Sequence, residues 1–492
     1  MSFIKKIDLL GKNINEIFDK RKGLIVACII FVVLFISALM NRWFEIYNDG
    51  LGYYIYSAEF MVDGKFALTN YHNDLRGYIW PLLVLPIRLI AQFTGRNHVA
   101  IFRVIFALLS AGFFGILTPK GVERIFKIKI NFLQRLLFAA CVLALWSPTF
   151  LQPLSDMLSF MLNLIGIYLI YYASSEKKTF KKYLLIILSG MALASTSLIR
   201  PVYQFSLYLG IILLIILNLK KGSRKNIILI VPFIIGAIII FAPQFIINVK
   251  HFGIYTPYAQ AQNTLDGRLI NQMSLGIVSS GSFGYIGEQE IALRTILKGN
   301  LELIEVMARG PYQCFVSNTH GLTLLEKMGG GRFESYGDYI IKFLKYPFDF
   351  IAVWMTHLFY GLDLNFPRIH YFEIKPAGVL YSFLNYTIIF FAAKALIVKG
   401  WFKEGGINKT ISFIILIVPC LVALMVNMEE RFMLPLHMII YMLLAFNPNI
   451  KEVFSKKIKI NFGMILVYLI FIMLCFTLSA ILLAEIGFAL QQ

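Results

Sequence analysis

Charged residues are scarce in this chain. They make up 15% of its 492 residues, whereas apolar residues make up 58% and the mean hydropathy is +0.72. A soluble globular protein carries about 25% charged residues, so this composition excludes an ordinary soluble domain. Cysteine is scarce as well, because only five are present and none are in CxxC spacing. The sequence therefore indicates neither a disulfide framework nor a cysteine-based zinc site.

Several motifs that mark common enzyme classes are also missing. The seven histidines show no HExxH spacing, which argues against a zinc peptidase. The chain has no GxSxG, and its glycines follow neither GxGxxG nor the Walker A pattern. A serine hydrolase of the nucleophile-elbow type and a glycine-rich nucleotide loop are therefore not indicated.

Long apolar runs are abundant instead. Many reach about 18 residues, the length that a helix needs to cross the hydrocarbon core of a bilayer. The hydropathy pattern predicts an all-α polytopic membrane protein with about eleven transmembrane helices. The predicted spans lie at about 23–40, 97–118, 131–147, 155–173, 183–199, 202–219, 227–247, 377–398, 410–427, 432–446 and 461–484.

Basic residues lie mostly in short segments between these runs. Lysine and arginine total 46 against 27 acids, a net charge of +19. This placement follows the positive-inside rule, so we attribute the charge to topology and expect no nucleic-acid partner. The rule puts the N-terminus in the cytoplasm, behind an uncleaved first span. Abundant isoleucine, lysine, phenylalanine and asparagine favour a bacterial inner (plasma) membrane.

The longest loops, and the acidic residues, lie mainly on the predicted outer face, which is periplasmic or extracellular. We expect an N-terminal module, 1–247, whose first outer loop is 41–96, then a large outer loop, 248–376, and C-terminal helices, 377–492. Two apolar stretches, 78–93 and 339–362, are interrupted by prolines and charges and are predicted to be interfacial helices. Every inner loop is too short for a nucleotide-binding domain of about 100 residues.

Acidic residues at two outer loops are the first candidate site residues. Asp49 follows the first span, and Asp156 opens the fourth in Pro153-Leu154-Ser155-Asp156. Asp49 alone could be a solvated interface residue, and Asp156 could cap a helix. If they converge, they could act as base and orienter, or hold a divalent cation such as Mg²⁺ or Mn²⁺.

Four arginines lie near the outer membrane depth, where charge is costly and is often functional. Snorkelling or pairing between helices is an equally good reading of any single one. Together they suggest a site for an anion such as a lipid phosphate, because a guanidinium matches phosphate oxygens in a bidentate manner. The four are Arg76, Arg103, Arg200 and Arg431.

The order of these features resembles the GT-C superfamily of polyprenyl-phosphate-sugar-dependent glycosyltransferases, which includes protein O-mannosyltransferases and lipid A aminoarabinose transferases. Two departures stand out: Asn48-Asp49 occupies the place of a commoner acidic pair, and Arg76 stands where lysine is frequent. The resemblance rests on Asn48-Asp49-Gly50 with the following tyrosines, Asp74-Leu75-Arg76-Gly77-Tyr78-Ile79-Trp80-Pro81, Arg103, Ser155-Asp156, and Glu430-Arg431-Phe432 with Leu434-Pro435.

The resemblance implies an inverting transfer of a sugar from a polyprenyl-phosphate donor to a hydroxyl of a glycan, lipid or protein. Asp49 would be the general base, and Asp156 would orient the acceptor or help to bind a metal. Arg76, helped by Arg200 or Arg431, would stabilise the leaving phosphate. The remaining candidates, expected to bind the acceptor or support the site, are Asp74, Glu59, Tyr54 and Arg103.

Two other functions stay open at this point. An O-antigen polymerase or ligase would use lipid-diphosphate donors, and the large loop 248–376 fits it as well. A non-enzymatic flippase of lipid-linked glycans would also need many spans. It should, however, carry polar or charged residues along mid-bundle faces together with broken helices.

Overall fold

The structure, a computed structural model, describes residues 21–39, 49–74, 76–219, 228–258, 269–286, 313–364, 371–372, 376–397, 406–447, 462–484 and 486–488. Most of these residues are helical. In chain order the helices are α1 Arg21–Leu39, α2 Asp49–Tyr56, α3 Ile79–Thr94, α4 His98–Gly112, α5 Thr118–Phe126, α6 Phe132–Trp146, α7 Ser155–Ser175, α8 Thr179–Ile199, α9 Gln204–Leu219, α10 Ile230–Phe252, α11 Leu269–Val278, α12 Thr319–Lys327, α13 Tyr336–Lys345, α14 Pro347–Leu362, α15 Pro376–Ile397, α16 Ile407–Ala423, α17 Leu434–Ala445 and α18 Phe462–Ala484.

Seven helices within the described ranges are long and apolar enough to cross a membrane, at 19 to 29 residues each. The chain is therefore a membrane protein whose apolar helices contact a lipid bilayer. A π-helical turn at Phe113–Leu117 joins α4 to α5 into one continuous helix. The seven are Arg21–Leu39, His98–Phe126, Ser155–Ser175, Thr179–Ile199, Ile230–Phe252, Gly378–Leu396 and Phe462–Leu482.

The predicted count of about eleven spans is not confirmed. The other four predicted spans coincide with α6, α9, α16 and α17, which have 15, 16, 17 and 12 residues. A helix of that length rises less than the roughly 30 Å of a hydrocarbon core. Which of these four cross the bilayer, and which face lies outside, stay predictions.

The chain divides into two compact units. The first comprises Met1–Ala259, Phe391–Leu416 and Met438–Lys457, and the second comprises Gln260–Phe390, Ile417–His437 and Ile458–Gln492. The predicted organisation into 1–247, 248–376 and 377–492 concerns membrane loops and stays a prediction.

Close glycine contacts join α8 and α10 in the first unit. A Cβ added at Gly190 would lie 2.1 Å from the Phe233 carbonyl oxygen, and one at Gly236 would lie 2.1 Å from that of Ile187. Any side chain would collide there, so the two backbones approach each other only because both positions are glycine. Small residues at such crossings are typical of helix packing in membranes.

Buried polar side chains in this unit bind backbone oxygens of neighbouring helices. Asn163 of α7 and Ser206 of α9 both donate to the Ile415 carbonyl of α16, at 3.1 and 3.0 Å. That carbonyl lies four residues before Pro419, which has no N–H to donate, so the two side chains satisfy an acceptor that the proline leaves open. Ser189 donates in the same way to Gly166, at 2.8 Å.

The second unit contains a four-stranded sheet that was not expected from an all-α prediction. Its strands are β3 Ser279–Ile286, β4 Gln313–Ser317, β5 Tyr371–Phe372 and β6 Ile486–Phe488, and a separate two-stranded sheet consists of β1 Met61–Val62 and β2 Lys65–Phe66. The order in the four-stranded sheet is β5-β3-β4-β6, with β3 antiparallel to β4, β4 antiparallel to β6 and β3 parallel to β5.

The stretch 339–362, predicted as one interfacial helix, spans parts of two helices, α13 and α14. Tyr346 breaks the helical path, and Pro347 begins the next helix, as proline does at a first helical position. The buried His357 of α14 holds this unit together, because its two ring nitrogens lie 2.7 Å from the Leu424 carbonyl and 3.1 Å from that of Ser279.

Candidate functional site

The first predicted outer loop is tightly folded where the structure describes it. A hairpin of β1 and β2 turns at Asp63 and Gly64, whose φ angles are +50° and +74°. Aspartate–glycine with two positive φ angles is the favoured turn of a two-residue hairpin. Just before the hairpin, Phe60 stacks on Tyr71 with ring centroids 5.1 Å apart. The contact between Phe60 and Tyr71 brings together the two ends of the segment that contains the hairpin, close to Arg76.

The backbone of Arg76 is held on both sides. Its N–H donates to Asn73 Oδ1 at 2.7 Å, and its carbonyl accepts from the Tyr71 hydroxyl at 2.8 Å. At the next position, a Cβ on Gly77 would lie 2.3 Å from the Leu198 carbonyl oxygen, so only glycine fits there. The guanidinium of Arg76 is therefore carried on a fixed backbone that abuts the end of α8.

Arg76 forms an ion pair with Asp49, the predicted base. Arg76 Nη2 lies 2.9 Å from Asp49 Oδ1, and the side chains are 31% and 30% exposed. The guanidinium also lies over the ring of Tyr53, 5.6 Å from its centroid. Tyr53 is one helical turn beyond Asp49 on α2. The pair is thus accessible to a ligand while its arginine rests on a buried aromatic ring.

A second ion pair joins Asp156 and Arg200. Asp156 lies in the first turn of α7, where the helix dipole favours a negative charge. Arg200 follows α8 in an extended conformation before Pro201. Arg200 Nη1 pairs with Asp156 Oδ1, and the two side chains are 14% and 3% exposed. This pair is therefore much less accessible than the Asp49–Arg76 pair.

Two contacts place both ion pairs at the same end of the first unit. The close approach of Gly77 to Leu198 brings the chain after Arg76 against the helix that leads to Arg200. The Trp80 indole donates to the Pro153 carbonyl at 3.1 Å, three residues before Asp156. Trp80 also meets the ring of Tyr53 edge-on, with centroids 6.0 Å apart. The structure thus brings together four of the five residues to which catalytic and phosphate-binding roles were assigned, namely Asp49, Arg76, Asp156 and Arg200.

Tyr54 and Glu59, assigned supporting roles, make local contacts. Tyr54 stacks on His98 with centroids 4.5 Å apart, and the guanidinium of Arg88 lies 5.0 Å from the Tyr54 centroid. Glu59 accepts from the His72 backbone N–H at 3.0 Å. These contacts keep the loop in shape, and a role in binding the acceptor stays a prediction.

Arg103 and Asp74, the other two supporting candidates, lie in different surroundings. Arg103 is buried, and its Nη1 points at the Ala38 carbonyl of α1 at a distance of 3.5 Å. This position links α4 to the end of α1. Asp74 is half-buried and forms no ion pair with any residue that the structure describes.

Arg431, the third predicted phosphate ligand, belongs to the second unit. Its Nε lies 2.6 Å from Oε2 of Glu429, two positions earlier in the chain. Burial, followed by the charges of Asp363 and Glu429, raises the pKa of Glu430 well above its ordinary value. This segment is thus an acid-rich one in which Arg431 has a carboxylate partner already.

The divalent cation considered for Asp49 and Asp156 stays a prediction. Each carboxylate pairs with an arginine. Within the described ranges, no three histidine, cysteine or acidic side chains are grouped in a way that could hold a metal ion. We therefore assign no metal-dependent step to these two residues.

Several residues that shape the site were not singled out from the sequence. Asn73 and Tyr71 hold the Arg76 backbone, Gly77 permits the close approach, and Trp80 reaches the Asp156 loop. Gly77 and Trp80 did stand in the Asp74–Pro81 motif, but nothing in the motif indicates what they contact.

No protein-family model, curated protein or solved structure matches this chain significantly. The GT-C resemblance is therefore carried only by the order of its motifs and stays a prediction.

Proposed function

We propose that the protein is an inverting glycosyltransferase of the GT-C type, which transfers a sugar from a polyprenyl-phosphate donor to an acceptor hydroxyl at the outer face of a membrane. The observation that carries the proposal is the accessible Asp49–Arg76 ion pair on a tightly folded loop. A carboxylate and a guanidinium at hydrogen-bonding distance are the two charges that this reaction needs, one to accept a proton and one to stabilise a phosphate.

In the proposed reaction, the Asp49 carboxylate accepts the proton of the acceptor hydroxyl. The hydroxyl oxygen attacks the anomeric carbon as the bond from that carbon to the phosphate oxygen breaks. The electron pair of that bond leaves with the lipid phosphate, and Arg76 stabilises the added negative charge. Because attack and departure occur on opposite faces of the sugar, the configuration is inverted.

The exposure of the Asp49–Arg76 pair suggests how a donor would enter. A phosphodiester and Asp49 compete for the same guanidinium, and an ion pair that is about one-third exposed contributes about 1 kcal/mol or less. A phosphate that takes Arg76 would release the Asp49 carboxylate to accept a proton. The fixed backbone of Arg76 supports this exchange, since only its side chain has to move.

The buried Asp156–Arg200 pair fits a supporting role better than a direct one. Its aspartate is 3% exposed, which leaves little surface for an acceptor or a phosphate. We propose that it fixes the end of α8 against the start of α7, and so holds Gly77 and Arg76 in place. Whether Arg200 also reaches the donor stays a prediction.

Among the residues that the structure describes, no specific observation favours the flippase. Asn163, Ser189 and Ser206, buried polar residues of the bundle, are uncharged and already donate to backbone carbonyls. They join helices and do not form a charged path for a headgroup.

The test uses the full chain in nanodiscs with a panel of polyprenyl-monophosphate sugars, followed by mass spectrometry of sugar loss. We expect one donor to be consumed by the wild type, less by Arg76→Lys and not measurably by Arg76→Gln, because lysine keeps a positive charge without the bidentate geometry. Consumption of only a diphosphate-linked glycan would replace the proposal with a polymerase or ligase. Transbilayer movement of an intact lipid would replace it with a flippase.

A further inference from the structure

A dense set of basic residues lies at the other end of the first unit's long helices. It combines two segments that are distant in sequence, the end of α5 and the junction between α7 and α8. We call this set the basic patch. It consists of Lys120, Arg124, Lys127, Lys177, Lys178 and Lys181, and each of these residues is exposed.

One tyrosine joins the two segments. The guanidinium of Arg124 lies 5.3 Å from the centroid of the Tyr172 ring, and the Lys181 ammonium lies 5.2 Å from it. Two cations from different segments are thus held at one aromatic ring, at the distance of a cation–π contact. Tyr172 keeps them close together despite their mutual repulsion, so the patch has a defined geometry.

The acidic residues beside the patch do not neutralise it. Glu123 pairs with Arg135 at 3.1 Å, outside the patch, and Glu176 pairs with Lys181 at 2.9 Å. Among the residues that the structure describes, one of the six cations is therefore compensated by an acid, and the other five are not. A surface of this kind calls for an anionic partner, and phosphate is the anion that guanidinium and ammonium groups bind best.

The apolar neighbours of the patch indicate a membrane as the source of that anion. Phe180 is 82% exposed, and it lies two residues after Lys178 and directly before Lys181. The patch also lies where two membrane-length helices, α7 and α8, meet. An exposed aromatic side chain between lysines at the end of a span is typical of the headgroup region of a bilayer.

We propose that the basic patch binds the headgroup phosphate of an acidic phospholipid in the leaflet that surrounds the junction of α7 and α8. Arg124, which is held at the Tyr172 ring beside Lys181, binds the phosphate, and Lys177 and Lys178 add charge. Phe180 enters the interface beside the bound lipid. This inference does not depend on the proposed transferase activity.

The test is native mass spectrometry of the full chain in detergent, titrated with phosphatidylglycerol or with phosphatidylcholine. We expect tighter binding of phosphatidylglycerol, and a loss of about 10- to 30-fold in its affinity for K177Q/K178Q, because a basic residue near an anionic surface contributes about fivefold. The matched control is K65Q/R96Q, which also removes two exposed positive charges. Arg96 lies just before the start of the His98–Phe126 helix, whereas Arg124 lies near the end of that helix. The control should change affinity by less than about threefold.

A variant that leaves the net charge unchanged distinguishes a defined binding site from attraction by net charge alone. Tyr172→Leu should weaken phosphatidylglycerol binding by about threefold or more, whereas Tyr172→Phe keeps the ring and should not. Equal binding of the two lipids, equal losses in K177Q/K178Q and in the control, or full competition by the same concentration of inorganic phosphate would each overturn the proposal.

Discussion

The two ion pairs of the candidate site should differ strongly in how much stability is lost when one partner is removed. Arg200→Gln leaves the Asp156 carboxylate, with a side chain only 3% exposed, without its arginine. Breaking a buried pair in this way costs about 3 to 5 kcal/mol. Asp49→Asn breaks a pair whose side chains are about one-third exposed, and such pairs contribute about 1 kcal/mol or less.

Thermal unfolding of the purified protein in detergent, followed by tryptophan fluorescence, measures this difference. We expect a large fall in midpoint for Arg200→Gln, a small one for Asp49→Asn, and substantial recovery in the double variant Asp156→Asn/Arg200→Gln, which buries no lone charge. If Arg200→Gln unfolds at the wild-type temperature, the Asp156–Arg200 pair does not support the site and the reasoning fails.

Three further predictions concern packing and titration. Gly190→Leu should destabilise the protein by about 1 to 3 kcal/mol or more, because its Cβ would lie 2.1 Å from the Phe233 carbonyl; Gly112→Ala, with no atom within 4 Å of the added Cβ, is the control in the same thermal assay. Tyr53→Phe removes a buried hydroxyl that has no hydrogen-bond partner among the described residues, so stability should stay equal or rise by about 1 kcal/mol, and a clear loss in the unfolding midpoint would contradict this. Because burial and then Asp363 raise the pKa of Glu430, its stabilising contribution is present at low pH and is lost as the pH rises through the raised pKa. A pH series of unfolding midpoints should therefore fall more steeply for the wild type than for Glu430→Gln.

The positions of the helices could be predicted from the sequence better than the number of helices that cross the membrane. Apolar runs indicate where helices lie, and the start of α7 at Ser155 coincides with the predicted start of a span. The length of a helix is harder to predict, because a run such as 432–446 begins within the 3₁₀ turn Glu430–Met433 and leaves only Leu434–Ala445 for the α-helix. Hydropathy does not register such turns.

The sheet of the second unit could not be predicted from the sequence, for a different reason. Its strands β4 and β6 pair Val316 with Ile486, which are far apart in the chain. Periodicity within a short window carries no information about such pairing, and a strand of three residues has no period to detect.

For the candidate site, the residue types were predictable but their pairing was not. Arg76 and Arg200 were selected because charge near a membrane is costly, and Asp49 and Asp156 were selected as acids at two predicted outer loops. Which aspartate meets which arginine depends on the turn at Asp63 and on glycine and tryptophan contacts that no single motif encodes. Glu429–Arg431 was the exception, because those residues are two positions apart.

The central claim is tested most directly by turnover of the consumed donor with Asp49→Asn beside Asp63→Asn. Both variants replace an acid by its isosteric amide in the same loop, and Asp63 lies in an exposed hairpin turn that tolerates asparagine. The account predicts that Asp49→Asn loses about 10² to 10⁴ in turnover, with a nearly unchanged unfolding midpoint, whereas Asp63→Asn keeps wild-type activity. Near-normal turnover in Asp49→Asn would contradict its assignment as the base.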